Sequence, residues 1–389
     1  MGKSRILWIL WLILAGLYWF FVDDYSGSFL LAVSVAVPLL FGGLTRHASG
    51  KLKLSVRTES EGEKNQPVNG RVTARNHGIF PLDRVICRFL CENLLTGERF
   101  FPRVRLAAPP RLPIERNFTL SSGHCGRIRL GAVEAVVYDP FGIFRFRVPV
   151  EAETAALIRP QTFGLEVQVA YGESLSLDSE EYSMNRAGSD PSETFAVREY
   201  REGDRVRQIH WKLSEKLENL MVRDYGLPIQ NTILLLLETG ILPGEERADA
   251  ACIDALAEAM LSVSEELLEQ QVVHSVGWQN HEENSFACLE VSTLEELTGC
   301  LPSLLCAAPG EDPVSVLGHY LEGHEQCEFA HVVLFTPHPI GDLAAIENQC
   351  LVTEILCEPG GGGGYLGDGS HRISASPESM AEDLAYLEI

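Results

Sequence analysis

Hydrophobic and polar positions follow three successive regimes along the chain. Residues 6–22 (ILWILWLILAGLYWFFV) carry no charge. Residues 28–44 form a second uncharged run containing Pro38, and only Asp23-Asp24-Tyr25-Ser26-Gly27 lies between the two. Each run is about the shortest that crosses the hydrocarbon core of a bilayer as a helix. From Lys51 the pattern turns to alternation: KLKLSV, VNGRVTARN, VICRFLCEN, RNFTLSS, RIRLGAVEAVVYD and FRFRVPV, separated by Gly, Pro and Asn turns. Short alternating strands with regular turn signals predict a β-sandwich. Its water-facing side is expected to be rich in arginine, with Arg127, Arg129, Arg145 and Arg147 each next to an apolar position.

The third regime begins at Asn231. Residues 233–237 (ILLLL) and 331–336 (HVVLFT) are apolar runs, as strands buried on both faces require. Residues 352–356 predict a third such strand and 272–278 another. Helices are predicted over 248–270, 293–305 (interrupted by Pro302), 342–349 and 377–387. Strands alternating with helices predict a doubly wound, mostly parallel α/β sheet. The expected organisation is a membrane hairpin over 1–48, a sandwich over 49–158, a connector over 159–230 and an α/β domain over 231–389. Within the connector, the polar run 177–190 (LDSEEYSMNRAGSD) predicts a loop.

Charge adds orientation and exclusions. Lys3 and Arg5 precede the first apolar run, Arg46, Lys51 and Lys53 follow the second, and the loop between holds two aspartates and no base. Basic residues on both outer flanks predict that both termini and the soluble domains are cytoplasmic. A cleaved signal peptide is the alternative, but the second apolar run follows at once and no small-x-small cleavage site stands out. Trp8 and Trp19, near the ends of the first run, suit a membrane interface. Net charge is −23; residues 231–389 hold 28 acids, two bases (Arg247 and Arg372) and no lysine, hence −26, leaving −23 + 26 = +3 for residues 1–230. An acidic half without clustered bases argues against a nucleic-acid partner. Ten cysteines at scattered spacings, none in a CxxC pair, predict reduced intracellular thiols.

Residues 197–225 carry seven bases and six acids around Trp211. Asp204 is a candidate helix N-cap. Val206, Ile209, Leu213 and Leu217 then fall on one helical stripe, with Trp211 roughly 140° away from it. This favours Trp211 packed against the sandwich or the connector with Arg207 stacked on it. The sharper alternative is an exposed Trp/Arg contact point for a partner.

This segment, with Arg198-Glu199-Tyr200, Gly203-Asp204, Arg207, Ile209 and Trp211, and the motif GRIRLGAVEAVVYDPFGIF over 126–144, resembles the bacterial domain-of-unknown-function family 58. The resemblance covers nearly the whole chain. It implies a membrane hairpin, a β-sandwich and a C-terminal von Willebrand factor A-like domain. It also implies a protein partner, a MoxR-type AAA+ ATPase, and a role in assembling or maturing other complexes. No biochemical activity comes with it. The candidate contact residues are Arg198, Tyr200, Asp204, Arg207 and Trp211.

The A-type fold often holds a cation through Asp-x-Ser-x-Ser after its first strand, where carboxylate and hydroxyl oxygens suit a hard ion. Here the matching stretch is Glu238-Thr239-Gly240-Ile241-Leu242. Both serines are missing, so no metal and no cofactor is expected. His319, His324 and Cys327 match no common zinc spacing and predict a solvated loop. His124-Cys125 is read as strand neighbours facing opposite ways, hence no catalytic couple. Residues 360–364 are five glycines without the Lys-Ser/Thr of a phosphate loop. The expected function is a membrane-anchored cytoplasmic scaffold and not an enzyme. A metal-dependent binding protein and an enzyme with an unrecognised site are the two alternatives.

Overall fold

The computed structural model describes residues 2–22, 25–150, 153–169, 182–188, 190–199, 209–217, 219–228, 233–241, 243–280, 283–312, 314–322, 329–340, 350–360, 364–365 and 372–389. The chain divides into two compact units, Met1–Gln161 with Pro302–Pro309, and Thr162–Leu301 with Gly310–Ile389.

The first unit opens with α1 (Gly2–Phe21) and α2 (Tyr25–Ser49), both long and apolar enough to cross a membrane. Pro38 lies inside α2. A proline has no N–H to give to the carbonyl four residues back, which here is Ser34. Trp8 of α1 fills that gap, its indole Nε1 donating to Ser34 O at 3.2 Å. Trp11 Nε1 donates to Ser34 Oγ at 2.9 Å. The two helices therefore run antiparallel, and the polar groups that Pro38 and Ser34 expose are satisfied inside the pair. Trp8 thus serves as a hydrogen-bond donor between the helices.

Ten strands follow: β1 (Leu52–Thr58), β2 (Glu61–Glu63), β3 (Val68–Asn76), β4 (Leu82–Asn93), β5 (Arg99–Phe100), β6 (Arg103–Ala108), β7 (Pro113–Leu120), β8 (Gly126–Tyr138), β9 (Arg145–Val148) and β10 (Glu153–Arg159). They form two sheets, β1-β3-β7 and β2-β10-β8-β4-β5, with β6 on β4 and β9 on β8. All pairings are antiparallel except β10 with β2. Alternation places Leu52, Leu54 and Val56 inward on β1. They share one core with Val85, Phe89 and Ile128 of the other sheet. Phe89 stacks on Phe118 with centroids 5.6 Å apart. Arg127, Arg129, Arg145 and Arg147 are exposed as predicted, and two of them pair with acids, Arg129 with Glu92 and Arg147 with Glu134. Gly126 opens β8 at φ +134°, and a Cβ there would sit 2.1 Å from Asn93 Oδ1. Asn93 is buried because its amide organises the neighbouring turn, donating to Cys125 O and accepting from the N–H groups of Leu95 and Thr96. Only glycine meets both demands.

The second unit contains β11 (Glu166–Gln168), β12 (Tyr182–Gly188), β13 (Asp190–Glu199), α3 (Trp211–Leu217), β14 (Met221–Pro228), β15 (Ile233–Leu237), α4 (Ala250–Glu269), β16 (His274–Asn280), β17 (Ser285–Val291), α5 (Leu294–Leu304), α6 (Val316–Glu322), β18 (His331–Thr336), β19 (Leu351–Cys357), β20 (Gly364–Tyr365), β21 (Arg372–Ala375), α7 (Met380–Asp383) and β22 (Tyr386–Glu388). Seven strands form one sheet in the order β17-β16-β15-β18-β19-β21-β20. The central pairings are parallel, and β17 and β20 are antiparallel. Every residue of β15 and β18 is buried. Leu234, Leu236, Val332 and Leu334 pack with Leu317 and Tyr320 of α6, and α4 packs on β15, β18 and β19.

Three readings of the sequence change, and a fourth is not tested. Residues 182–188, expected in a loop, form β12 in a three-stranded sheet ordered β12-β14-β13. In the sequence the alternation Tyr182-Ser183-Met184-Asn185 is short and breaks at Arg186, so it gives little strand signal. The helix expected over 377–387 is one turn, α7, followed by β22, which pairs in parallel with β11. The antiparallel strand β17 was not anticipated, because SFACLEV is half exposed. The helix expected over 342–349 lies outside the described residues.

Candidate functional site

Of the five candidate contact residues, Tyr200, Asp204 and Arg207 lie outside the described residues. Arg198 lies on β13, in register with Val222 of β14. Among the segment's described residues, 209–217 and 219–225 are tied together by backbone pairing. Ile209 bridges Val222, and His210 N–H donates to Met221 O at 2.8 Å. The His210 carbonyl then accepts from Leu213 and Ser214, which starts α3 at Trp211. Ser214, buried, donates to His210 O and accepts from Met221 N at 2.8 Å, closing the excursion on itself. Ile209 therefore belongs to a β-bridge, which ends the predicted helical stripe. Trp211 is 62 % exposed, so the inward packing expected for it is not found. Lys212, Glu215 and Lys216 on the same turns are exposed too.

Glu238 stands one residue past the end of β15, its N–H bonded to Phe335 O of β18. This is where the strand order reverses, the usual ligand crevice of such sheets. Its carboxylate is fully buried and its two oxygens are both used. Oε1 accepts from Gly240 N–H and Oε2 from Val316 N–H, each at 2.7 Å. Val316 is the first residue of α6, so Glu238 caps that helix from 78 positions away. Burial pushes the Glu238 carboxyl above its ordinary range, against the pull of these two N–H groups; Asp312 adds to the rise and His319 opposes it. His319 was expected in a solvated loop. It is a largely buried residue of α6, with Nε2 2.9 Å from Asp312 Oδ2. Asp312 Oδ1 accepts from Val314 N–H at 3.0 Å. No cluster of three or more metal-ligating side chains occurs among the described residues. His324 and Cys327 fall outside them, as do residues 361–363 of the glycine run. His124-Cys125 lies in the turn before β8, not on a strand, and Cys125 is buried with its carbonyl bonded to Asn93.

A third place lies within the 126–144 motif, and no spacing in the sequence marks it as a site. Asp139-Pro140-Phe141-Gly142 folds into a tight turn. Asp139 accepts from Phe141 N–H at 3.2 Å and from Phe144 N–H at 2.7 Å, and Gly142 takes φ +70°. The turn docks on the apolar helices. Arg5 Nε donates to Ile143 O at 2.8 Å, and Phe141 meets Phe41 edge-on at 5.6 Å. Gly42 lets Phe144 approach so closely that a Cβ would lie 2.7 Å from its ring. The DPFG turn thus joins the helix pair to the β-sheets. Beside it, Ser4, Leu7, Trp8, Leu30, Val33 and Phe141 contribute to an apolar cleft of about 520 Å³ between α1 and α2.

Comparison with known proteins adds little. No family profile matches the chain, and no curated protein matches it. Among solved structures it is similar to the CARDB domain of a Pyrococcus furiosus protein, at 15% identity over 26% of this chain and 94% of that one, TM-score 0.18. It is also similar to a structural-genomics target designated SoR45, at 12% identity over 30% and 92%, TM-score 0.23. A third is the alkylpurine DNA glycosylase AlkC of Pseudomonas fluorescens bound to abasic-site DNA, at 13% identity over 35% and 40%, TM-score 0.20. Likeness at this level carries no functional conclusion.

Proposed function

We propose that this chain is a membrane-anchored cytoplasmic scaffold that holds a protein partner. The helices α1 and α2 are its anchor, and the seven-stranded sheet is a von Willebrand factor A-like domain. The order of that sheet, with its first strand central and one antiparallel strand after the second, supports the A-type reading. The use of both Glu238 oxygens by backbone N–H groups favours binding without a metal. The observation that carries the proposal is Trp211, a large aromatic side chain held 62 % exposed at the start of a helix pinned by backbone bonds. Tryptophan is enriched where truncation weakens association most. The partner implied by the family resemblance is a MoxR-type AAA+ ATPase.

The test is binding of the purified full chain, in mild detergent, to the MoxR-type ATPase of the same source. Saturable binding is expected, weakened roughly 30-fold by Trp211→Ala, the effect of a hot-spot loss of about 2 kcal/mol. The melting temperature should stay unchanged, since an exposed side chain is removed. Absence of binding, or binding indifferent to Trp211→Ala, would count against the scaffold.

A further inference from the structure

We infer that the cleft between α1 and α2 is a binding site for one anionic phospholipid, its acyl chain between the helices and its phosphate at Arg5 and Arg84. This rests on the reading of α1 and α2 as a membrane anchor. The walls of the cleft are hydrocarbon. Leu7, Leu30, Val33 and Val37 line it, and the polar groups of Ser34 are consumed by the indoles of Trp8 and Trp11. Its volume, about 520 Å³, falls within the roughly 300–1,000 Å³ of ordinary ligand clefts.

Two basic side chains stand beside one end of the cleft, although neither lines it. Ser4, Phe141 and Ile143 close it, where the DPFG turn meets α1. A methyl group placed on Gly142 would sit 3.4 Å from Ser4 Oγ and 3.6 Å from Arg84 Nη1, so hydroxyl and guanidinium flank the same turn. Arg5 spends only its Nε on Ile143 O, which leaves the other guanidinium donors free for a phosphate. Among the described residues neither Arg5 nor Arg84 has a carboxylate partner. Both lie at the sandwich end of the helix pair, where a bilayer's headgroups begin.

Charge also decides between a lipid and a second copy of this chain. Neither α1 nor α2 contains an Asp or Glu. In the sequence, Asp23 and Asp24 fall between α1 and α2, a helix length away from Arg5. A second hairpin with the same membrane orientation would cover the apolar walls but bring no anion to Arg5 and Arg84. An anionic phospholipid supplies both.

The full chain is reconstituted into nanodiscs of equal parts phosphatidylglycerol and phosphatidylcholine with identical acyl chains. The lipid that stays with the released protein is then weighed by native mass spectrometry. Phosphatidylglycerol should be retained in clear excess. Arg84→Gln should reduce that excess roughly fivefold, the effect of one basic residue at an anionic surface. Val33→Trp, which fills the cleft, should abolish retention of either lipid. Equal retention of the two lipids by the wild type, or a preference untouched by both variants, would overturn the site. Alkaline carbonate extraction of membranes from expressing cells separates the two readings. A chain that remains in the membrane but shows no preference loses the lipid site alone. A chain that is extracted loses the anchor and the lipid site together.

Discussion

Replacing Arg372 by alanine is expected to destabilise the second unit by about 3–5 kcal/mol. Arg372 on β21 lies in register with Glu354 on β19, and its Nε donates to Glu354 Oε2. Glu354 is 1 % exposed, and its other oxygen accepts from Ile340 N–H at 2.8 Å. Ionised carboxylates are rarely kept in such a place without a cation, because desolvation costs more than one N–H bond returns. Arg372→Ala removes the cation and leaves the acid. For a unit of this size the loss corresponds to a fall of at least roughly 6 °C in melting temperature. Hydrogen exchange should rise first along β19 and β21. The double variant Glu354→Leu/Arg372→Met should recover most of the stability, since a well-packed apolar pair replaces a buried ion pair at little cost. A fall below about 1 kcal/mol for Arg372→Ala, in the range of surface pairs, would show that the pair does not hold these strands.

Glu238→Ala is expected to cost about 2–5 kcal/mol, because the N–H groups of Gly240 and Val316 are both left buried without an acceptor. Glu238→Gln keeps one acceptor oxygen and should cost roughly half as much. The two variants also differ in pH dependence. Burial raises the Glu238 carboxyl above its ordinary value of 4.5, so the unfolded chain gives up this proton first as pH rises. The contribution to stability is therefore fully present below about pH 4.5 and is lost as pH climbs through the raised folded value. Melting temperatures followed from pH 4 to pH 8 should show wild type losing ground to Glu238→Gln as pH increases. In the same samples, calorimetric titration with Mg²⁺ or Mn²⁺ should give no micromolar binding. Such binding, lost in Glu238→Ala, would revive the metal-dependent alternative.

The sequence reveals elements whose periodicity is set by a single boundary between water and apolar surroundings. The apolar runs of α1 and α2 stand out because nothing charged interrupts them. The strands β1, β3 and β8 alternate because one face meets the core, and β15 and β18 are unbroken because both do. The sheet β12-β14-β13 is hard to read from sequence because Ser183, Asn185, Gly188, Asp190 and Pro191 are residues that turns use as readily as strands. The extent of α3 was misjudged because Ile209 satisfies a β-bridge and a helical stripe equally well on paper. The Ser214 hydroxyl and the His210–Met221 pairing decide between them.

Interactions distant in sequence left only indirect traces. Glu238 and Val316 are 78 residues apart, and no spacing rule joins them. Arg372 carried a visible clue, as one of two bases among 28 acids in residues 231–389. Pro38 carried another. A proline inside an apolar run leaves the carbonyl of Ser34 without a donor, and Trp8 is the side chain that meets it. The DPFG motif forms a turn, as its Asp, Pro and Gly favour. That it docks on Arg5, Phe41 and Gly42 depends on the antiparallel arrangement of α1 and α2, which alternation along the chain does not encode.

The central claim is that α1 and α2 span a membrane with the soluble units on the cytoplasmic side. Its most direct test is modification by a membrane-impermeant maleimide of two variants in intact expressing cells. Both positions are well exposed: Tyr25, 80 % exposed at the hairpin connection, and Ile79, 75 % exposed on the sandwich. Tyr25→Cys should be modified from outside the cell. Ile79→Cys should be modified only after the membrane is permeabilised. Modification of Ile79→Cys in intact cells, or protection of Tyr25→Cys until lysis, would contradict the claim.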